Sequence, residues 1–399
     1  MLLRTHHSVN RIHLGKMSKP TELIGDRAIA TSHLFQKFLL QFPSYAEKIV
    51  SHNQIVDSKL NEVLTQLGID RGDNTTNNLF RLWRHLSNRH WLTGGDITTT
   101  DELTKTYEII KTLGQGAYGK VLKAKNLYYD ETVALKLFAN RRHDAGINEN
   151  NVMQWLLEEY GEMQAHKNIL GFYGSFFARY EKSVYFVVKL QYIPGETLED
   201  LYDQQPLLSR QACLDIAIGI LSGLSFLRRN RIGHRDIKPP NVIYSAETDG
   251  VCILDLGLAQ FATLDGPVSL DPGKGTPLYF YPPLYQTWMS STGHKPDNYV
   301  SLFFEADVWA TALTLYMVIL GKRPAYFDYM EEISDLQFQL EQAKPRFVVE
   351  MDEALRFARP EFADVAAVVR SIINLGPQPS TDQYLQKFTV LRYPLQTQL

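Results

Sequence analysis

Cysteine is nearly missing from this chain: Cys213 and Cys252 are the only two in 399 residues. Their separation fits neither a disulfide framework nor a paired zinc-ligand spacing, so a reducing, cytoplasmic compartment is expected. An excess of one charge is also missing. Lys plus Arg is 41 and Asp plus Glu is 44, a net charge of -3, which offers no strong field for nucleic acid or an anionic membrane. Neither partner is expected. Long apolar runs are lacking too: the longest, Ala310 to Leu320, falls short of the roughly 20 residues a membrane span requires. It reads as a buried helix, and no membrane span is expected. There is no internal repeat and no low-complexity tract. What remains, 44% hydrophobic and 21% charged, is the composition of a globular protein able to bury a large core.

Residues 1–19 carry Arg4, Arg11 and Lys16 and a second methionine at Met17. They show a faint likeness to a transit peptide but no clear amphipathic stripe, and a disordered leader is expected. Between 20 and 100, apolar residues recur at helical spacing, Leu60, Val63, Leu64 and Leu67 in one stretch and Leu79, Leu82, Trp83 and Leu86 in another. These predict an α-helical extension, which would dock on the rest of the chain, bind a partner or fold apart. The stretch 94–102 reads as a linker. Residues 107–138 alternate in short β-favouring pieces, Asn151 to Gln164 reads as a helix, Ser183 to Leu190 as a strand, and the long segments beyond Gly195 as helices. Strands followed by helices predict an α+β unit of two lobes over 103–395, the smaller at 103–190 and the larger at 194–395.

Three signals carry chemistry. The first is Gly114, Gly116 and Gly119 in GQGAYGKV. Glycines let backbone amides approach a phosphate that a Cβ would push away. A dinucleotide fold uses the same spacing, but its last glycine opens a helix, whereas Lys120 to Ala124 continues as a strand. A hairpin tip over a nucleotide, or a plain hairpin turn, fits better. The second is Lys136 in VALK, 17 residues after Gly119. A lysine among such apolar neighbours needs an anionic partner. Glu159 on the following helix is favoured because Met163 lies one turn further on, and Glu158 is the alternative.

The third is HRDIKPPN at 234–241, followed by Asp255, Leu256 and Gly257. Two acids, an amide and a lysine at this spacing suit phosphoryl transfer: one acid orients a hydroxyl, while the other and the amide hold magnesium against phosphates. With these residues the chain resembles the eukaryotic protein kinase family, whose catalytic loop and metal triplet read H-R-D-x-x-x-x-N and D-F-G. The resemblance implies the two-lobed protein kinase fold, with ATP and Mg2+ as cofactors and a protein as substrate.

Carried over by position, the resemblance makes Asp236 the catalytic base and Lys238 the residue steadying the transferred group. Asn241 and Asp255 become the metal ligands, and Lys136 contacts the α- and β-phosphates while held by Glu159. Gln191, Tyr192 and Ile193 correspond to the adenine-reading hinge, Leu190 to the back-pocket residue, and Val121, Ala134 and Ile243 to the adenine sandwich. The segment from Gly275 through Thr276 to Tyr279 looks like the substrate-side G-T-x-x-Y, and Asp307, Val308 and Trp309 like the buried helix start that anchors the catalytic loop. Lys238 with Thr276 resembles the serine/threonine branch. A pseudokinase scaffold or a small-molecule kinase of the same fold remains the alternative.

The chain departs from the family pattern in several places. Leu256 replaces the aromatic of D-F-G, and is expected to complete an apolar column with Met163, Phe172 and His234. Pro283 stands where A-P-E has its glutamate and Gln378 where the paired arginine falls, so the two are expected to be neighbours. An insertion over 284–304 brings Tyr285, Trp288, Tyr299, Phe303 and Phe304, either as core packing or as a docking surface. Arg235 precedes the catalytic aspartate and is expected to find an anion in the segment from Asp255 to Pro283, either Asp271 or a phosphate on Thr263 or Ser269.

Overall fold

A computed structural model describes residues 102–394, apart from 117–118, 129–130, 140–142, 161–162, 205–207, 248–249, 264–265, 268–274, 291–298, 330–344 and 376–378. The expected leader and helical extension lie outside the described residues, as do Ser269, Asp271 and Gln378.

Strands β1 (Tyr107–Gly116), β2 (Gly119–Asn126), β3 (Thr132–Ala139), β4 (Phe172–Tyr180) and β5 (Ser183–Gln191) form one antiparallel sheet in the order β1-β2-β3-β5-β4. Alternation along β3 sets the layers. Val133, Leu135 and Leu137 enter an apolar cluster with Leu103, Tyr107, Leu122, Ala124 and Val187. The side chains between them face the other way. Phe138 there lies where a Cβ on Gly146 of helix α1 (His143–Tyr160) would collide with it, so Lys136 is on the helix side of the sheet. β1 and β2 close as a hairpin with Gly116 opposite Gly119. At Gly119 φ is 150°, and a Cβ would strike the Leu137 carbonyl, so only glycine suits the tip.

Helix α1 begins eight residues before the expected Asn151 and ends at Tyr160. Its first turns carry Gly146, Asn148, Asn150 and Asn151, which are poor helix formers and disguise the start in the sequence.

The helical lobe is built on α2 (Arg210–Arg229), opened by Ser209, whose side chain accepts from the Ala212 amide. Thirteen of its residues are buried, and α3 (Tyr299–Leu320) and α4 (Thr381–Arg392) pack against it. At Gly219 a Cβ would collide with Val251, so the strand Gly250–Ile253 lies directly on the helix. Trp309, Tyr384 and Phe388 are fully buried in this lobe, each contributing on the order of 1.5–3 kcal/mol by removal from water.

Two expectations change here. The apolar run Ala310 to Leu320 is the second half of α3, a helix of 22 residues. The windows at Arg210–Arg229 and Val300–Leu320 are long and apolar enough to cross a membrane, yet 67% and 83% of them are buried within the fold, as core helices are. Asp307 is not at a helix start: α3 begins eight residues earlier, at Tyr299. Tyr285, Phe303 and Phe304 of the insertion are buried. These three therefore pack the core, while the side chains of Trp288 and Tyr299 lie outside the described residues.

Candidate active site

Between the sheet and the helical lobe lies a cavity of about 530 Å³. Gly114, Val121, Ala134, Leu190, Gln191, Tyr192, Ile193 and Ile243 line it, with Lys136, Glu149, Asn241 and Asp255 among its polar walls. Nearly every residue expected to hold a nucleotide is therefore on one surface. Gly116 and Gly119 are the exceptions, since they form the hairpin tip and not the wall.

Lys136 corrects the sequence reading. Its Nζ is 2.8 Å from Glu149 Oε2 and 2.7 Å from Asp255 Oδ1, while Glu159 is exposed on the last turn of α1. The marker residue misled in the same way: Met163 is 60% exposed and lies beyond the helix, whereas Met153, four residues after Glu149, is 2% exposed. Met153, Phe172, His234 and Leu256 are the buried set. The signal that identifies Glu149 in the sequence is that same spacing, one turn before Met153.

Burial pushes the Glu149 carboxyl up to about 7 against the opposing pull of Lys136. Burial also works against the charge on Lys136, but Glu149 and Asp255 outweigh it and hold the ammonium above its usual range. For Asp255 burial is again overcome, mainly by Lys136, and its carboxyl stays below the ordinary value. The lysine therefore remains charged between two acids that differ in proton affinity.

The loop over residues 234–241 is held by polar contacts. Asp307, 4% exposed, accepts the backbone amides of His234 and Arg235, each at 2.7 Å. His234 Nε2 is 2.8 Å from the Leu254 carbonyl. Asp236 Oδ1 accepts from the Thr276 hydroxyl at 2.7 Å, and its Oδ2 is 2.8 Å from Lys238 Nζ and 3.0 Å from Asn241 Nδ2. Lys238 also donates to Thr276 at 2.8 Å. Asp236, Lys238, Asn241 and Thr276 are thus one bonded group. Arg235 at φ 71° and Asp255 at φ 58° have left-handed backbones. Such conformations cost on the order of 1–3 kcal/mol each for non-glycine residues and cluster at functional sites. Asp307 binds the first, and the second closes a turn in which Asp255 Oδ1 accepts from the Gly257 amide at 3.0 Å.

Arg235 donates to Gln260 Oε1 at 2.9 Å, a neutral partner that sequence reasoning did not name. Beside Asp236 a small apolar pocket is lined by Ile237, Tyr279, Phe280, Leu284 and Tyr285. In the helical lobe, Asp352 accepts from Arg370 at 2.8 Å, Arg356 at 3.0 Å and Asn374 at 2.8 Å.

A five-stranded antiparallel lobe, a helical lobe and this constellation in the cleft define a two-lobed kinase fold. The protein kinase domain model matches residues 107–378. The chain belongs to the protein kinase family, in its serine/threonine branch. It is similar to serine/threonine-protein kinase TIO of Arabidopsis thaliana, 30% identical over 221 residues that make up 55% of this chain and 15% of that protein. Serine/threonine-protein kinase C of Synechocystis is 27% identical over 290 residues, 69% of this chain and 51% of the relative. SNF1-activating kinase 1 of Saccharomyces cerevisiae is 28% identical over 268 residues, 59% and 23% respectively. The chain thus spans at most about half the length of these relatives.

Proposed function

We propose that this chain transfers the γ-phosphoryl group of ATP to serine or threonine hydroxyls of protein substrates. The observation that carries the reading is the Asp236 carboxylate with one oxygen on a threonine hydroxyl and the other on Lys238. A substrate hydroxyl has the same chemistry as that of Thr276. Asp236 orients it and takes its proton as the O–P bond forms, and Lys238 balances charge on the transferred group. Lys136, kept cationic by its two acids, meets the α- and β-phosphates.

Asn241 and Asp255 offer an amide oxygen and a carboxylate, hard oxygen donors that suit Mg2+ when nucleotide phosphates complete its shell. When bound, the ion neutralises charge building on the phosphates.

Incubation with Mg-ATP and a generic serine- and threonine-containing protein should give phosphoserine or phosphothreonine, and Asp236→Asn should lower the rate at least about 100-fold without unfolding the chain. Nucleotide binding with no transfer by the native protein would overturn the reading in favour of a scaffold.

The boundaries at 19, 100 and 103 are proposed from sequence pattern, and limited proteolysis that fails to release a fragment starting near residue 100 counts against them. Placement in the cytoplasm rests on composition alone, and fractionation to an oxidising compartment would refute it.

A further inference from the structure

Asn148 precedes Glu149 on α1, and the Lys136 pair makes no use of it. Its Nδ2 donates to the carbonyls of Gly257 at 2.9 Å and Ala259 at 3.0 Å, with the Leu256 carbonyl at 3.5 Å. An amide has two N–H groups, and the two short contacts use both. Two turns further along the helix, Trp155 meets Phe261 edge-on with ring centroids 5.3 Å apart. Positions seven apart share a helix face, so one stripe of α1 grips residues 257–261 while the adjacent side chain reaches Lys136.

The same segment is tied on another side to the catalytic loop. Gln260 and Phe261 pair with Gly233 and Ile232, Arg235 donates to the Gln260 side chain at 2.9 Å, and Arg231 Nε donates to the Ala262 carbonyl at 2.9 Å.

We propose that Asn148 is a positioning residue for phosphoryl transfer: its amide fixes α1 against the segment that follows the metal-binding aspartate, and so keeps Glu149 on Lys136. Asn148 and Glu149 are consecutive on a rigid helix, so neither shifts without the other. Losing the amide leaves two backbone carbonyls without these donors, and the helix loses its register against the active site. The activity arm of the test rests on the kinase reading above, while the exchange arm does not.

The test uses the full chain with Asn148→Ala and Asn148→Asp. The second keeps the shape, removes both donors and points an oxygen at the carbonyls. Both should lower kcat at least about 10-fold, Asn148→Asp more, with the protein-substrate KM within about twofold. Between pH 7.5 and 6 the Asn148→Asp deficit should shrink relative to Asn148→Ala, because the introduced carboxyl regains a proton to donate. Hydrogen exchange in Asn148→Ala should quicken about 10-fold or more over 143–160 and 256–262, with 210–229 unchanged. Native kcat and native exchange in both variants overturn the proposal, and so does a uniform rise in exchange that includes 210–229. Should the native chain transfer no phosphate, the kinase reading fails alone, and the exchange pattern still decides the role of Asn148.

Discussion

Lys136 Nζ lies 2.8 Å from the carboxylate of Glu149, an acid that is itself wholly buried. Losing the Glu149 carboxylate leaves the ammonium with Asp255 alone, and breaking one side of a buried ion pair costs up to about 3–5 kcal/mol. Glu149→Gln should therefore lower kcat/KM for ATP at least about 10-fold, while Glu159→Gln, on the exposed end of the same helix, should stay within twofold. Steady-state kinetics on the two variants checks this, and equal losses would refute the pairing. The pair also responds to pH. Because burial raises the Glu149 carboxyl to about 7, its charged form builds up as pH rises through that value, so kcat/KM of the free enzyme should climb between pH 6 and 8.

How much of this site is legible in the sequence depends on whether its residues are neighbours in the chain. Asp236, Lys238 and Asn241 lie within six positions, and Asp255 follows after one strand pair, so their grouping reads as a motif. Glu149 does not, because it meets Lys136 only through the packing of α1 on β3, and the asparagines and glycine around it hide the helix start. Asp307 is recognisable, but its place in the middle of a helix is not, since the apolar residues before it continue the helical run of α3. Asn148 and Gln260 are ordinary polar residues in the sequence, and only the fold shows which carbonyls and which guanidinium they face.

Thr276 bonds to both Asp236 and Lys238 through one hydroxyl. Thr276→Ala removes the hydroxyl that bridges the lysine and the acid, so neither is held in place by it. A fall in kcat of about 10-fold is expected, with Thr276→Ser restoring most of it because the hydroxyl returns. Failure of serine to restore activity would show that the methyl group, not the hydrogen bonds, matters.

Asp352 carries a stability prediction. Hydrogen bonds from Arg370 first, and from Asn374 and Arg356, outweigh burial and hold its carboxyl at about 2. A depressed carboxyl stabilises the fold above its unfolded pKa of about 3.9, and that contribution fades as pH falls toward the folded value. Discounted for the solvent around the arginines, it amounts to about 1–2 kcal/mol. Asp352→Asn should lower the melting temperature by about 2–4 °C near pH 7. The gap between the two proteins should shrink to roughly half near pH 3. A gap that widens on acidification would contradict the assignment.

Asp307 tests how the catalytic loop is supported. Both of its oxygens accept backbone amides, from His234 and Arg235 at 2.7 Å each, and burial raises its carboxyl above the ordinary range even though those amides favour the charged form. The acid therefore stays in a position unfavourable to its charge, and two buried N–H groups depend on it. An asparagine side chain in its place is not a neutral replacement, since it has one oxygen and one NH2, and the NH2 would face a donor. Asp307→Asn should thus destabilise by about 1–3 kcal/mol for the amide left without an acceptor. It should also release Arg235 from its left-handed backbone, since the bond that holds φ at 71° would be lost or weakened. Asp236 follows Arg235 directly, so kcat should fall at least about 10-fold at temperatures where the variant is still folded. A variant that melts early yet turns over at the native rate when folded would show that Asp307 supports the lobe and not the geometry of the catalytic loop.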